Sequence, residues 1–246
     1  MVCYAPSVTV LGDLTGRAAS ARETPPDRVF LGFGLTDPND DRSWDPVPLP
    51  GTREVSDIAA DYGPGAKAIT GAGATKQRIF QETAGYRAVH FATHGVLDDQ
   101  DPLYSGLHVA PPPGDSPGPE VLHVYEMFAL QLTGAVVICS ACETARGTVR
   151  AGEGLVGMSR ALFYAGAISL VISLWPVPDA PTRRLMRVFH RYLRSGHDPA
   201  LALSLAKRAV RASHRRVYHH PYTWAGFIVL GATGEPANPA ATQGSC

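Results

Sequence analysis

His94 and Cys142 each stand just beyond a short apolar run: Ala88-Val89-His90-Phe91-Ala92 before the first, Ala135-Val136-Val137-Ile138-Cys139 before the second. Runs of this length without polar alternation read as strands buried on both faces of a parallel sheet. In an open α/β sheet, ligands bind outside the carboxyl ends of the strands. Two such strands would therefore present an imidazole and a thiol to one crevice. A thiol is a poor nucleophile until a base manages its proton, and a neighbouring imidazolium draws its pKa from ~8.5 into the range ~3.5–7.5. This is the constellation of a cysteine hydrolase, in which a thiolate attacks an amide carbonyl and leaves an acyl-enzyme. Gly95 and Ala141 flank the two side chains with little bulk, so a substrate backbone can approach. The backbone N–H groups of Gly95 and Cys142 are the candidate oxyanion hole.

Other residues with chemical potential read differently. Cys139 lies inside its strand and behaves there as a small buried hydrophobe. Cys3 and Cys246 lie near the termini with no base in view. His90 precedes His94 by four residues, a zinc spacing on a helix but not on a strand. No acidic residue sits at metalloprotease spacing, so no metal is expected, and His90 reads as core or as support for the site. Gly152-Glu153-Gly154-Leu155-Val156-Gly157 matches a dinucleotide fingerprint, which has to follow its strand directly. Here it comes long after the strand ending near Cys139. It reads as a tight turn returning the chain beside Cys142, and no cofactor is expected. Gly71-Ala72-Gly73-Ala74-Thr75-Lys76 lacks the spacing of a phosphate-binding loop.

The elements that position these residues alternate along the chain. Strands are expected over residues 29–33, 66–70, 86–92, 103–109, 120–122, 135–139, 168–174 and 223–230. Residues 7–11, with Val8 and Val10 in alternation, are expected to pair with the sheet. Thr52 should cap a helix reaching about Tyr62, with Val55, Ile58 and Ala59 inward, and Thr75 should cap a second carrying Ile79 and Phe80. A helix over 155–165 should stop at Gly166. Asp179 and Pro181 open the next, and Pro199 opens another. Residues 34–50 and 111–119 read as loops, and 234–246 as a disordered tail. Such alternation makes an α/β protein with a largely parallel central sheet and helices on both faces. The 246 residues suit one domain without internal repeat.

Composition narrows the setting. Twenty-two basic residues balance 22 acidic ones, and 45% of residues are hydrophobic. No apolar run approaches the ~18 residues of a membrane span, and the first residues lack the basic and apolar regions of a secretory signal. Four cysteines do not suggest a disulfide framework, so a cytoplasmic, reducing setting is expected. Residues 183–216 carry a run of Arg and Lys against Asp198 alone. It reads as the solvated face of two amphipathic helices. Nothing accompanies it in the manner of a nucleic-acid motif, so neither nucleic acid nor membrane is an expected partner.

Several segments resemble the CHAT family, a caspase-like domain often fused to tetratricopeptide repeats. They are His90-Phe91-Ala92-Thr93-His94-Gly95, Pro102-Leu103-Tyr104-Ser105, Ser140-Ala141-Cys142-Glu143-Thr144, Gly152-Glu153-Gly154, Tyr164-Ala165-Gly166-Ala167, Ser173-Leu174-Trp175-Pro176-Val177 and Pro221-Tyr222-Thr223-Trp224-Ala225-Gly226-Phe227. The resemblance implies a caspase-like fold, His94 as catalytic histidine and Cys142 as nucleophile. It implies an endopeptidase that hydrolyses a peptide bond in a protein or peptide substrate, of the kind used in signalling or defence, under a helical-repeat protein or domain as regulator. Trp175 and Asp179, just after the strand next to the cysteine strand, are candidates for the substrate pocket. Members usually carry further strands before Ala5-Pro6-Ser7, so an incomplete amino-terminal side is expected. A catalytically silent interaction module, or acyl transfer or ester hydrolysis by the same pair, are the alternative readings.

Overall fold

In a computed structural model the apolar runs pair as parallel strands. The structure describes residues 4–5, 7–24, 26–35, 50–98, 100–114, 120–140, 151–175, 177–214 and 216–232. Strands β1 (Arg28–Gly34), β2 (Ala66–Thr70), β3 (Tyr86–Ala92), β7 (Val136–Cys139), β8 (Ser169–Ser173) and β9 (Phe227–Gly231) form a six-stranded sheet in the order β2-β1-β3-β7-β8-β9. All neighbours are parallel except β9, which runs antiparallel to β8. Phe91 of β3 stands opposite Cys139 of β7, so the two strands expected to carry the chemistry end side by side.

The two-residue strand period sorts side chains to two faces. Val89, Phe91, Val137, Cys139, Leu170 and Ile172 pack with Leu14, Ile79, Met158 and Leu162 from helices α1 (Val8–Glu23), α3 (Lys76–Glu82) and α5 (Ala151–Tyr164). Ala88, Val136, Ile138 and Val171 pack with Ile58, Leu185, Phe189, Leu203 and Val210 from α2 (Pro50–Tyr62), α6 (Asp179–Arg194) and α7 (Pro199–Arg211). A second, three-stranded antiparallel sheet joins β4 (Gly95–Val96), β5 (Gly106–Val109) and β6 (Glu120–His123), followed by the short helix α4 (Val124–Met127).

Four sequence expectations are corrected. Residues 8–11 are helical, not extended: the Ser7 hydroxyl accepts the Val10 N–H at 3.1 Å as an N-cap, and the buried stripe is Leu14 and Ala18 at helical spacing. Val8, whose alternation suggested a strand, is 88% exposed. The sheet contact falls earlier, where Tyr4 bridges Leu230. The glycines of the dinucleotide-like match lie within α5 rather than in a turn. Helix α2 begins at Pro50, so Thr52 is inside it and not its cap. In place of strands over 103–109 and 223–230, turns occupy the first residues, and β5 and β9 start at Gly106 and Phe227.

The basic stretch divides on folding. Arg187 grips Asp61 through both carboxylate oxygens at 2.5 and 2.8 Å, while Arg184 and Arg194 lie over the rings of Tyr218 and Tyr62. Part of the expected solvated face thus ties α6 back onto its neighbours. Among the described residues no helix is long and apolar enough to cross a membrane.

Candidate active site

The chain turns outward from β1 to β2 and then returns to the other side of β1 for β3. That reversal opens a crevice at the carboxyl ends of the strands. A cavity lies there, lined by Leu35, Gly51, Glu54, Ala92, Thr93, His94, Ser140, Asp179 and Thr182. Helix α2 approaches its floor closely. A Cβ on Gly51 would collide with the Ala92 carbonyl oxygen and lie 2.8 Å from that of Leu35.

His94, half-buried, follows β3 by two residues and is held by the small sheet. Its carbonyl accepts the His108 N–H at 2.8 Å, the Thr93 hydroxyl donates to the His108 carbonyl at 2.7 Å, and the His94 ring meets that of His108 edge-on. With 94 and 108 a hydrogen-bonded position, the pair Gly95–Leu107 falls between ladder bonds, and the Gly95 N–H faces away from β5. The small sheet is itself anchored by Lys76, whose ammonium reaches Glu120 at 3.1 Å and Glu126 at 2.9 Å. Burial opposes that charge, but the hydrogen bonds to Glu126 and Glu120 outweigh it and hold the Lys76 pKa above its usual value.

Beneath the cavity runs a chain of buried polar groups. Ser140, the first residue after β7, donates its hydroxyl to Glu54 Oε1 at 2.7 Å. His90 Nε2 lies 3.0 Å from the same oxygen and 3.1 Å from Ser140 Oγ. His90 Nδ1 is 2.9 Å from His190 Nε2, and His190 Nδ1 is 3.1 Å from the Tyr62 hydroxyl. Glu54, His90, Ser140 and His190 are all buried. Burial, and then the neighbouring His90, push the His190 pKa well below the ordinary histidine value. His90 thus belongs to the support of the site, as its sequence position suggested. Among the described residues no cluster of three or more acidic, His or Cys side chains could hold a metal ion.

The other sequence candidates fall in separate places. Asp179, first residue of α6, is in the cavity wall beside Thr182. Trp175 is held against the C-terminal segment: its ring stacks on Tyr222 and its Nε1–H donates to the Tyr222 carbonyl at 3.0 Å. Cys139 is buried on the α1/α5 side, with its thiol pushed up to about 12 by burial. Cys142 and its backbone N–H lie outside the described residues. Glu54, Ser140, His190 and Tyr62 were not singled out from the sequence. Glu54 and Ile58 are four apart on the inward stripe of α2, and Met186 and His190 likewise on α6. A polar residue on a buried stripe was the available signal.

Solved structures show the same arrangement of sheet and helices. The Arg specific cysteine proteinase gingipain R (RgpB) matches with a TM-score of 0.59 and 12% identity over 93% of this chain and 52% of its own. The Saccharomyces cerevisiae separase in its securin complex matches with a TM-score of 0.57 and 13% identity over 93% of this chain and 13% of its own. The protein therefore has the caspase-like α/β fold of these cysteine proteases. Within that class, the model of the CHAT domain matches residues 1–232, and the chain belongs to the CHAT domain family. Tetratricopeptide repeat protein 28 from Mus musculus is 26% identical over 232 residues, and that from Homo sapiens 25%. This chain spans 9% of the length of these relatives.

Proposed function

We propose that this CHAT domain is a cysteine endopeptidase of the caspase and separase type, with Cys142 as nucleophile and His94 as the group that manages its proton. One observation carries the reading. His94 and Ser140 line one cavity at the ends of adjacent strands, and Cys142 follows Ser140 by two residues. The described chain that leads to Cys142 therefore ends at that cavity, which supports the reading. In the proposed reaction the imidazole takes the thiol proton and the sulfur attacks the scissile carbonyl carbon. The Gly95 and Cys142 N–H groups receive the oxyanion. The direction of the Gly95 N–H, away from β5, supports its part in this. The C–N bond then breaks, and the imidazolium gives its proton to the departing amine. Water, activated by the same imidazole, hydrolyses the thioester to a carboxylate and restores the thiol.

That Asp179 lines the cavity supports a part in the substrate pocket, whereas the contacts of Trp175 with Tyr222 lend no support to one. The likeness to two tetratricopeptide repeat proteins favours a helical-repeat protein or domain as regulator. The test is digestion of a peptide library by the purified chain beside Cys142→Ala and His94→Ala. Cleavage at defined bonds by the unaltered chain, lost in both variants, is expected. Cleavage that survives Cys142→Ala would remove the basis of the proposal. Transfer of the acyl group to an added alcohol without peptide hydrolysis would replace it with the acyl-transfer alternative.

A further inference from the structure

We infer that Glu54 is a positioning residue for this site, tying the start of the Cys142 segment to the strand that leads to His94. The inference rests on the proposed roles of Cys142 and His94 and adds the group that sets their spacing.

A carboxylate only 3% exposed is costly to bury unless its oxygens are hydrogen-bonded. Glu54 finds those partners on two different strand ends: His90 belongs to β3, and Ser140 is the first residue beyond β7. One oxygen, Oε1, receives both. Helix α2 has little freedom to carry this group elsewhere, because Gly51, one turn earlier, already lies against the carbonyls of Ala92 and Leu35. The carboxylate is thus fixed beneath the cavity and joins the two strands that deliver the expected base and nucleophile.

The remaining polar groups give this tie a direction. If His90 Nε2–H donates to the Glu54 carboxylate, its Nδ1 has to accept from His190 Nε2–H. His190 Nδ1 then accepts from the Tyr62 hydroxyl, and every donor in the chain points toward Glu54. Burial keeps His190 neutral, in agreement with that order. The network therefore contains two hydroxyls of opposite consequence. Removing that of Ser140 frees the Cys142 segment from Glu54. Removing that of Tyr62 leaves a buried hydrogen bond unmade at the far end, with the tie intact.

The experiment measures alkylation of Cys142 in the full chain by limiting iodoacetamide from pH 5 to 9, with mass-spectrometric mapping of each cysteine. The unaltered chain is compared with His94→Ala, Glu54→Ala, Glu54→Gln, Ser140→Ala and Tyr62→Phe, and urea midpoints are recorded for each. A thiol whose pKa rises from the range ~3.5–7.5 to ~8.5 loses thiolate at pH 6 faster than it gains nucleophilicity, a net loss of about two- to tenfold in rate. That loss, with the rate midpoint moved upward, is expected for Ser140→Ala and Glu54→Ala. Glu54→Gln keeps an acceptor oxygen and should recover most of the rate. Tyr62→Phe should lower the urea midpoint but leave the pH–rate profile unchanged. If Ser140→Ala and Tyr62→Phe both lower stability and neither alters the profile, the network is only structural and the inference falls while the hydrolase reading stands. If His94→Ala also leaves Cys142 unchanged, at the rate of an ordinary thiol, the hydrolase reading fails and takes the inference with it. Should Glu54→Ala not fold, Ser140→Ala against Tyr62→Phe decides the matter alone.

Discussion

His190 offers a sharp test of the buried polar chain, because its protonation is coupled to folding. It is 2% exposed on α6, between His90 and Tyr62. Burial, and then His90, place its folded pKa well below 6.5. In the unfolded chain it titrates near 6.5. Below that pH the unfolded chain binds a proton that the fold refuses, so stability falls as pH falls, until the folded pKa is reached. The slope for one proton is about 1.4 kcal/mol per pH unit, and integration from pH 7 to 5 gives up to about 2 kcal/mol, less where the folded pKa is reached first. His190→Gln removes the titration. It also lowers stability at neutral pH by roughly 1–3 kcal/mol, since Tyr62 or His90 loses a partner. The informative quantity is the gap between the two proteins in urea unfolding, followed by tryptophan fluorescence across this pH range. That gap should narrow on acidification, by up to about 2 kcal/mol. A gap constant to within about 0.5 kcal/mol would show that His190 takes up its proton inside the fold. The order of donors running from Tyr62 to Glu54 would then be wrong.

Three further outcomes follow from packing and burial. Gly51→Ala should cost about 1–3 kcal/mol in urea unfolding, because its methyl group collides with the Ala92 carbonyl, and a neutral effect would contradict the close approach of α2. Asp198 caps α7 by accepting the N–H groups of Ala200 and Leu201 at 2.9 and 3.0 Å. Asp198→Ala should therefore lower stability by about 1–2 kcal/mol and Asp198→Asn by much less, and equal losses would rule out the capping role. The Cys139 thiol, pushed up to about 12 by burial, should resist iodoacetamide at pH 8 until urea unfolds the chain. Labelling of native Cys139 at the unfolded rate would place it outside the core.

The parts of this fold legible in the sequence are those in which local pattern and final environment agree. The run ending at Ala92 is apolar because β3 is covered on both faces, and it placed His94 at a strand end without further information. Asp179 and Pro199 marked helix starts because charge and ring geometry favour the first turn. Residues 8–11 read as a strand because Val8 and Val10 alternate, but in α1 Val8 is exposed while Val10 packs against the core. The Ser7 cap and the Leu14–Ala18 spacing carried the true signal. The antiparallel direction of β9 left no trace, since side chains alternate identically in either direction. Strand β4 spans two residues, too few for any period to show. Glu54 and His190 are polar positions on the apolar stripes of amphipathic helices, where the pattern alone marks only core residues. Their value comes from a hydrogen-bond chain assembled from three separate elements, α2, β3 and α6, and the residue after β7.

The bridge between Tyr4 and Leu230 covers an edge of the sheet. The Tyr4 N–H donates to Val229 and its carbonyl receives the Gly231 N–H, while the Ala232 N–H binds the Ile168 carbonyl. Because β9 runs against the other strands, Gly231 lies beside Ser169, at the amino end of β8. The first and last described segments are thus tied to each other at the rim opposite the cavity. Loss of the Tyr4 segment would leave the Val229 carbonyl and the Gly231 N–H on an open sheet edge, a template for pairing with another strand.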